Sequence, residues 1–563
     1  MSTAIGVRVA LPGVVYAPEP ELRRYVEAGA LGRQTLQEAF WEAFRMHAGR
    51  VAVCGLEGEI TYAALDVLTD RAGAALLGLG LRPLDRVVFQ IGNSSELLIA
   101  FIGCLKAGLI PICTLAAHRE HEIGYIARHA QARAHIVQGD DPKFDLVAFA
   151  AGMKAEIPSM HAVVSTRGAA RGGIARLEDL MAREEPAAAR ERLQALPRDP
   201  FQAAVFQLSG GTTGVPKLIP RFHNEYLYNM LAVARYLEYR LDDVMLMPLP
   251  MVHNASTSCA WGPMLLVGGA FAIVPQPAPE VIVELLRKYK PTWVAAGLKQ
   301  ALLKVDEAAR SVPGAFERVR GVWTIESARY TREILGLPGY HIFGMAEGLI
   351  MFTRGSDPLE AREQTVGRPV SEFDQVRILK PGTEQDVLPG EIGELAVKGP
   401  YTIHGYYDAA DRNLLAFTSD GFYRPGDLMS ARTYTGNTYY AFEGRIKDVV
   451  DRGGEKVNCE ELELALAGHS SIADVAVVGM PDPGLGERIC AYAVLRRAAS
   501  PADASVPVLA GYLQRLGFAK FKWPERVEVV DAMPLTKVGK IDKLVLRRMI
   551  AETLAAEDAS AKR

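Results

Sequence analysis

Short unbroken apolar blocks alternate along the chain with longer stretches whose apolar residues return at helical spacing. Residues 35–47 and 64–79 read as helices and residues 59–62 and 86–91 as strands. Asn93-Ser94-Ser95-Glu96 offers N-caps to an apolar helix ending near Gly108, and Leu109-Ile110-Pro111-Ile112 restarts as a strand. This alternation predicts a parallel sheet with helices on its faces. Residues 167–200 turn rich in Ala, Arg and Glu and read as helix and connector with a solvated charged face. Residues 205–208 read as a strand end and 281–289 as a helix. Residues 340–348 read as a strand running into a Gly-bounded loop. After Gly390 the pattern becomes short β elements and turns. Beyond a charged, Gly-rich hinge near Lys447 come helices at 460–467 and 506–516, a strand at 474–479 and a helical, frayed tail. The predicted class is α/β, with a large N-terminal domain of layered sheets and helices over 1–446 and a small α+β domain over 447–563.

Length and charge narrow this picture. A chain of 563 residues exceeds what one core supports. A hydrophobic fraction of 49% with 23% charged residues is that of an ordinary globular enzyme. A formal charge of −3 leaves no basic excess for nucleic-acid phosphates. The six cysteines lack C-x-x-C spacing, as expected of a reducing compartment. No secretory signal opens the chain, and its most apolar stretch, near residues 97–115, is broken by Lys106 and a Gly-Leu-Ile-Pro sequence. The expectation is a cytoplasmic enzyme with no membrane span and no nucleic-acid partner. His118, His121 and His129 lie close in sequence without matching carboxylates and read as packed or capped side chains, not metal ligands.

The stretch richest in chemistry is Leu208-Ser209-Gly210-Gly211-Thr212-Thr213-Gly214-Val215-Pro216-Lys217. Its glycines permit a tight turn that brings bare N–H groups to phosphate oxygens, while its hydroxyls and Lys217 add donors and charge. A Walker A loop is excluded, because Val215-Pro216 separates Gly214 from Lys217. Four further strings follow: Phe343-Gly344-Met345-Ala346-Glu347-Gly348, Tyr423-Arg424-Pro425-Gly426-Asp427, residues 444–456, and Pro534-Leu535-Thr536-Lys537-Val538-Gly539-Lys540.

In order and in kind, these five motifs resemble those of the adenylate-forming superfamily, which holds acyl-CoA synthetases, non-ribosomal-peptide adenylation enzymes and luciferases. The resemblance spans nearly the whole chain. It implies ATP and Mg²⁺ as cofactors, with Ser209, Gly210, Gly211, Thr212, Thr213, Gly214 and Lys217 around the phosphates. It further implies Gly344, Met345 and Ala346 beside the nucleotide, Glu347 and Thr213 toward Mg²⁺, and Asp427 with Arg445 at the ribose. Lys540 matches the catalytic lysine and Lys447 the hinge about which a mobile C-terminal lid turns between two half-reactions. Gly453-Gly454 matches a second-step surface or a plain tight turn.

His253-Asn254, the Gly-Met-Ala-Glu-Gly string and Pro220-Arg221-x-His223-Asn224 narrow the likeness to stand-alone aryl-acid–AMP ligases, which activate salicylate or 2,3-dihydroxybenzoate for siderophores. His253 joins the implied catalytic set. Asn254 stands where amino-acid-activating relatives carry Asp, and a neutral amide suits an acid without an ammonium. Cys259 and Ile350 match ring-pocket positions that favour salicylate. Two features depart from the pattern. Ala255 replaces an aromatic, and Trp323-Thr324-Ile325-Glu326-Ser327-Ala328 replaces a Gly-Gly segment. Glu326 and Ser327 either face a larger or nitrogen-bearing acid, or turn to solvent. The implied product is an acyl-AMP whose acyl group passes to the phosphopantetheine arm of an aryl carrier protein. The alternatives are an aryl-CoA ligase using free CoA and a silent adenylate-binding module.

Overall fold

The computed structural model describes residues 5–561 apart from 210–215, 298, 326–327, 453–454, 484, 517, 519 and 537–538. Among the described residues the strands assemble into four sheets. The nine-stranded sheet has a parallel centre formed by Val51–Gly55, Ala270–Ile273, Val244–Met247, Trp293–Gly297, Gly321–Thr324 and Gly339–Gly344. In the seven-stranded sheet, Ala162–Thr166, Ala134–Gln138, Arg86–Gln90, Ile110–Ile112 and Ala203–Leu208 run parallel before Leu218–Phe222 turns back.

Strand alternation sorts the side chains into layers. Val53, Met245, Phe271, Trp293 and, from the other sheet, Val87, Phe89 and Ile136 share one core with the helices Leu36–Met46, Tyr62–Gly78, Ser95–Lys106 and His223–Tyr236. Cys54, Leu246, Ala272 and Val294 point oppositely, onto the helices Pro279–Tyr289 and Lys299–Ala309. Val88, Ile112 and Val137 face the helices Glu120–His129 and Leu146–Glu156. Both large sheets are thus covered on both faces, which is why their strands are apolar throughout. The expected large α/β domain with a smaller C-terminal one is observed.

The four-stranded sheet, Gln375–Leu379, Gly393–Lys398, Asp427–Tyr434 and Asn437–Arg445, packs against the site through Met429, Tyr406 and Tyr423. The C-terminal part has separate cores on the two faces of its sheet. Val475, Val477 and Ile489 meet the helices Cys459–Ala467 and Val506–Arg515, whereas Ala476, Val478 and Cys490 meet Leu546 and Ile550 of Lys543–Ala561.

Local signals match in detail at several places. Thr35 and Glu38 form a reciprocal capping box, and Ser94 accepts from Leu97 N at 3.2 Å as N-cap. Asn93 does something else. Its Nδ2 donates to Leu249 O (2.8 Å) and Val274 O (3.1 Å), and its Oδ1 accepts from Met251 N (2.8 Å), tying down the loop that leads to His253. The expected solvated face at 167–200 is corrected in part. In the helix Pro186–Gln194, Arg190 pairs with Asp66 and with buried Asp70, which also hold the wholly buried Lys106. Charges spaced as on a surface helix are here drawn into an ion cluster, because one buried ammonium needs the carboxylates around it. His118 is buried, and its Nδ1 accepts from Leu115 N at 3.2 Å.

His135, in the middle of a buried strand, has neither ring nitrogen bonded among the described residues, and burial pushes its pKa down to about 3 from 6.5. The unfolded chain binds this proton first as pH falls, so the native state loses stability between those two values. His135→Leu is expected to flatten that acid limb. Urea midpoints compared at about pH 7 and about pH 4.5 check it, and an unchanged pH slope contradicts it.

Candidate active site

Ligand sites in parallel α/β sheets form beyond the carboxyl ends of the strands, and the sequence-predicted residues gather there. Residues 209–217 follow Ala203–Leu208, and His253-Asn254 follow Val244–Met247. Ile325 follows Gly321–Thr324, and residues 345–348 follow Gly339–Gly344.

Ser209 and Lys217 are tied together by Ser209 N donating to Lys217 O (3.1 Å) and Lys217 N donating to Ser209 Oγ (3.0 Å). Gly210, Gly211, Thr212, Thr213 and Gly214 lie outside the described residues, as do Glu326 and Ser327 and the Gly453-Gly454 pair. Lys217 Nζ donates to the Tyr406 hydroxyl at 3.0 Å and lies 4.2 Å from that ring's centroid. Tyr406 in turn donates to Glu347 Oε1 at 2.8 Å, and its hydroxyl is 2.7 Å from that of Tyr423. Asn413 grips the Tyr406 backbone from both sides, accepting from its N–H at 2.8 Å and donating to its carbonyl at 3.1 Å. Burial pushes the Lys217 pKa down, the Glu347 carboxylate opposes this, and Arg412 and Arg445 add to the lowering. Glu347 is held at the tip of a tight turn, closed by Gly348 N to Met345 O (3.2 Å) and Met345 N to Leu349 O (3.2 Å). Only glycine fits at 348, since a Cβ would lie 2.8 Å from Thr402 Cα. One oxygen of Glu347 takes the Tyr406 bond, and a carboxylate so placed is a hard donor that fits Mg²⁺.

Antiparallel register sets the Asp427–Arg445 pair. Asp427 opens one strand opposite Arg445, which closes the next, and Arg445 Nε donates to Asp427 Oδ1 at 2.7 Å. Burial raises the Asp427 pKa, with Arg445 and Lys540 opposing. Lys447 lies in the single 3₁₀ turn Ile446–Asp448 that follows. At this junction Asn458 donates to the Glu443 carbonyl and caps the helix Cys459–Ala467 by accepting from Glu460 N at 3.0 Å. Lys540 is exposed on a turn bridged by Leu535 and Ile541, where its N–H donates to Thr536 Oγ1 at 3.1 Å. Its ammonium lowers the pKa of both His253 and Asp427, which lie far from it in the sequence. The His253 ring is accessible from the cleft, yet the protein around it, reinforced by Lys540, pushes its pKa down to about 4. Neutral at pH 7, it accepts from Ala255 N at Nδ1 (3.3 Å), which leaves its proton on Nε2.

Asn254 is buried, and its Oδ1 accepts from Arg221 (3.2 Å) and from the Tyr226 hydroxyl (2.9 Å). Arginine has only donors, so the amide orientation is unambiguous. Ala255 is half-buried beside it. Cys259 is fully buried in the π-helical turn Thr257–Trp261, its thiol 3.5 Å from Ser258 Oγ, and burial pushes its pKa up to about 12. Ile350 is packed against Gly344, whose Cβ would lie 2.7 Å from Ile350 Cδ1.

Comparison with known proteins agrees with this geometry. Residues 40–407 match the family model described as AMP-binding enzyme, and residues 461–540 match that of the AMP-binding enzyme C-terminal domain. The chain belongs to the AMP-binding enzyme family. A 2,3-dihydroxybenzoate-AMP ligase of Bacillus subtilis is 35% identical, covering 97% of this chain and 99% of its own. A salicyl-AMP ligase / salicyl-S-ArCP synthetase of Mycobacterium tuberculosis is 36% identical, with 96% and 95% covered. The apo structure of Mycobacterium smegmatis MbtA superposes with a TM-score of 0.71 at 33% identity, covering 95% and 98%.

Around the site of this AMP-binding enzyme lie residues that the sequence alone did not place there. Arg221, Tyr226, Tyr406, Arg412 and Asn93 all act through partners far away in the chain. Arg221 stood in the Pro220-Arg221 string and Asn93 among the N-cap candidates of the following helix, and the other three carried no signal. Among the described residues no helix is long and apolar enough to cross a membrane.

Proposed function

We propose that this AMP-binding enzyme joins an aryl carboxylic acid to AMP, releases pyrophosphate, and passes the acyl group to the phosphopantetheine thiol of an aryl carrier protein. The observation that carries the reading is the pinned amide of Asn254. The oxygen that would accept from a substrate ammonium is already taken, so the site suits an acid offering an acceptor, as an ortho-hydroxyl does. Salicylate is the leading candidate, in keeping with the relatives' names.

In this reading the acid's carboxylate oxygen attacks the α-phosphorus while the bond to pyrophosphate breaks. Lys217 and the hydroxyls of Thr212 and Thr213 hold the leaving phosphates. Glu347, with Thr213, holds Mg²⁺, which when bound neutralises phosphate charge. Gly344, Met345 and Ala346 line the nucleotide site, and Asp427 with Arg445 receives the ribose hydroxyls. Lys540 brings positive charge to the point where two anions meet, and neutral His253 adds an Nε2–H donor without a second cation. Residues 1–446 form the adenylation domain and 447–563 the lid, turning at Lys447 so that the thiol replaces Lys540 in the second step. We place the protein in the cytoplasm, consistent with six free, buried cysteines.

The test is ATP–pyrophosphate exchange with benzoate, salicylate, 2,3-dihydroxybenzoate, aminobenzoates, hydroxypicolinates and a few amino and fatty acids. Exchange led by an aryl acid is expected. Exchange confined to amino or fatty acids contradicts the reading.

A further inference from the structure

We infer that Arg221 and Tyr226 set the polarity of the acid site and that Arg221 links it to the nucleotide site; this rests on the aryl-acid reading above. The Arg221 guanidinium has no exposed surface. Its Nε and one terminal nitrogen fork onto Glu225 at 2.9 and 2.8 Å, a bidentate pair between the end of the strand Leu218–Phe222 and the first turn of the helix His223–Tyr236. The remaining nitrogen donates both to Asn254 Oδ1 (3.2 Å) and to the carbonyl of Ala346 (2.9 Å), the residue before Glu347. Tyr226 supplies the second donor to Asn254, and its hydroxyl receives Gln207 Nε2 at 3.2 Å, so a chain of donors runs Gln207 to Tyr226 to Asn254. The Tyr226 ring also lies 4.4 Å beneath the guanidinium.

Two donors on one buried oxygen forbid the amide from turning over, because a flipped Asn254 would set its NH₂ against a guanidinium and a hydroxyl proton. Both side-chain hydrogen bonds of Asn254 among the described residues end on Oδ1, which leaves the Nδ2–H groups to meet the acid. Arg221 and Tyr226 are therefore positioning residues. They touch neither substrate, yet they decide that the acid is recognised through an acceptor atom. Because one nitrogen also holds the Ala346 carbonyl, loosening Arg221 shifts the turn that carries Glu347.

The test compares kcat/KM in ATP–pyrophosphate exchange for salicylate, benzoate and 2-aminobenzoate, whose ortho group is respectively an acceptor, absent, and chiefly a donor. Tyr226→Phe is expected to cut the salicylate-to-benzoate ratio about fivefold, the usual worth of one hydrogen bond. The double variant Arg221→Met/Glu225→Gln, which leaves no buried charge unpaired, is expected to cut it further, raise the relative rate with 2-aminobenzoate and raise the KM for ATP. If the double variant does not fold by calorimetry, Tyr226→Phe alone decides. A parallel fall for all three acids, or an unmoved ratio, overturns the inference while the aryl-acid reading stands. Wild-type enzyme silent toward every aryl acid overturns that reading, and the inference with it.

Discussion

Lys540→Ala is expected to slow acyl-adenylate formation by roughly 10²–10³-fold while changing transfer from a preformed aroyl-AMP to a thiol by no more than a few-fold. The size follows from position. The lysine is presented on a short bonded turn, and its charge reaches His253 and Asp427 from the opposite domain. Adenylation brings a carboxylate against a polyphosphate, so one ammonium at the junction is strengthened by every water excluded there. In the proposed second half-reaction a thiol displaces AMP, a step in which no carboxylate has to approach a polyphosphate and the lysine's charge is not needed. An exposed lysine also carries little of the fold, so its loss should leave the melting temperature near wild type. Exchange kinetics beside single-turnover transfer from synthetic aroyl-AMP check this. Equal losses in both steps contradict the assignment.

Glu347→Gln should cost adenylation at least about 100-fold and raise the Mg²⁺ concentration needed for half-maximal rate. Glutamine keeps an oxygen to accept from Tyr406, so the phenol network and the turn are retained and the change isolates the charge. That charge has two uses. In the proposed reaction it is a hard anionic oxygen for the cation at the phosphates, and it offsets the burial that lowers the Lys217 pKa. Its removal therefore weakens the metal side and lets Lys217 titrate lower, steepening the loss of activity as pH rises. A Mg²⁺ titration of the exchange rate at several pH values reads both effects. Slower turnover with unchanged Mg²⁺ dependence would remove Glu347 from the metal's coordination.

What was legible in the chain was whatever is encoded locally. The helix after Ser94 and the strands at 86–112 follow from a cap and from apolar runs that fill both faces of a sheet. Asp427 and Arg445 stood in recognisable strings, and antiparallel register brings them together. What depends on distant partners could not be seen. Nothing near Arg190 announces that Asp66 and Asp70 will draw it inward around Lys106. Tyr406 reads as one aromatic among many until folding sets it between Lys217 and Glu347. Asn254 reads in the sequence as a neutral amide, but only the Arg221 and Tyr226 contacts reveal which of its two ends the protein holds.

The most direct measurement is mass spectrometry of the products formed from ATP, Mg²⁺ and salicylate, with pyrophosphate assayed in parallel and benzoate, an amino acid and a fatty acid as comparison substrates. The account predicts salicyl-AMP and pyrophosphate in equal amounts, with salicylate ahead of benzoate and neither aliphatic acid converted. Adenylates formed only from the amino or fatty acid, or ADP and phosphate in place of AMP chemistry, would contradict it.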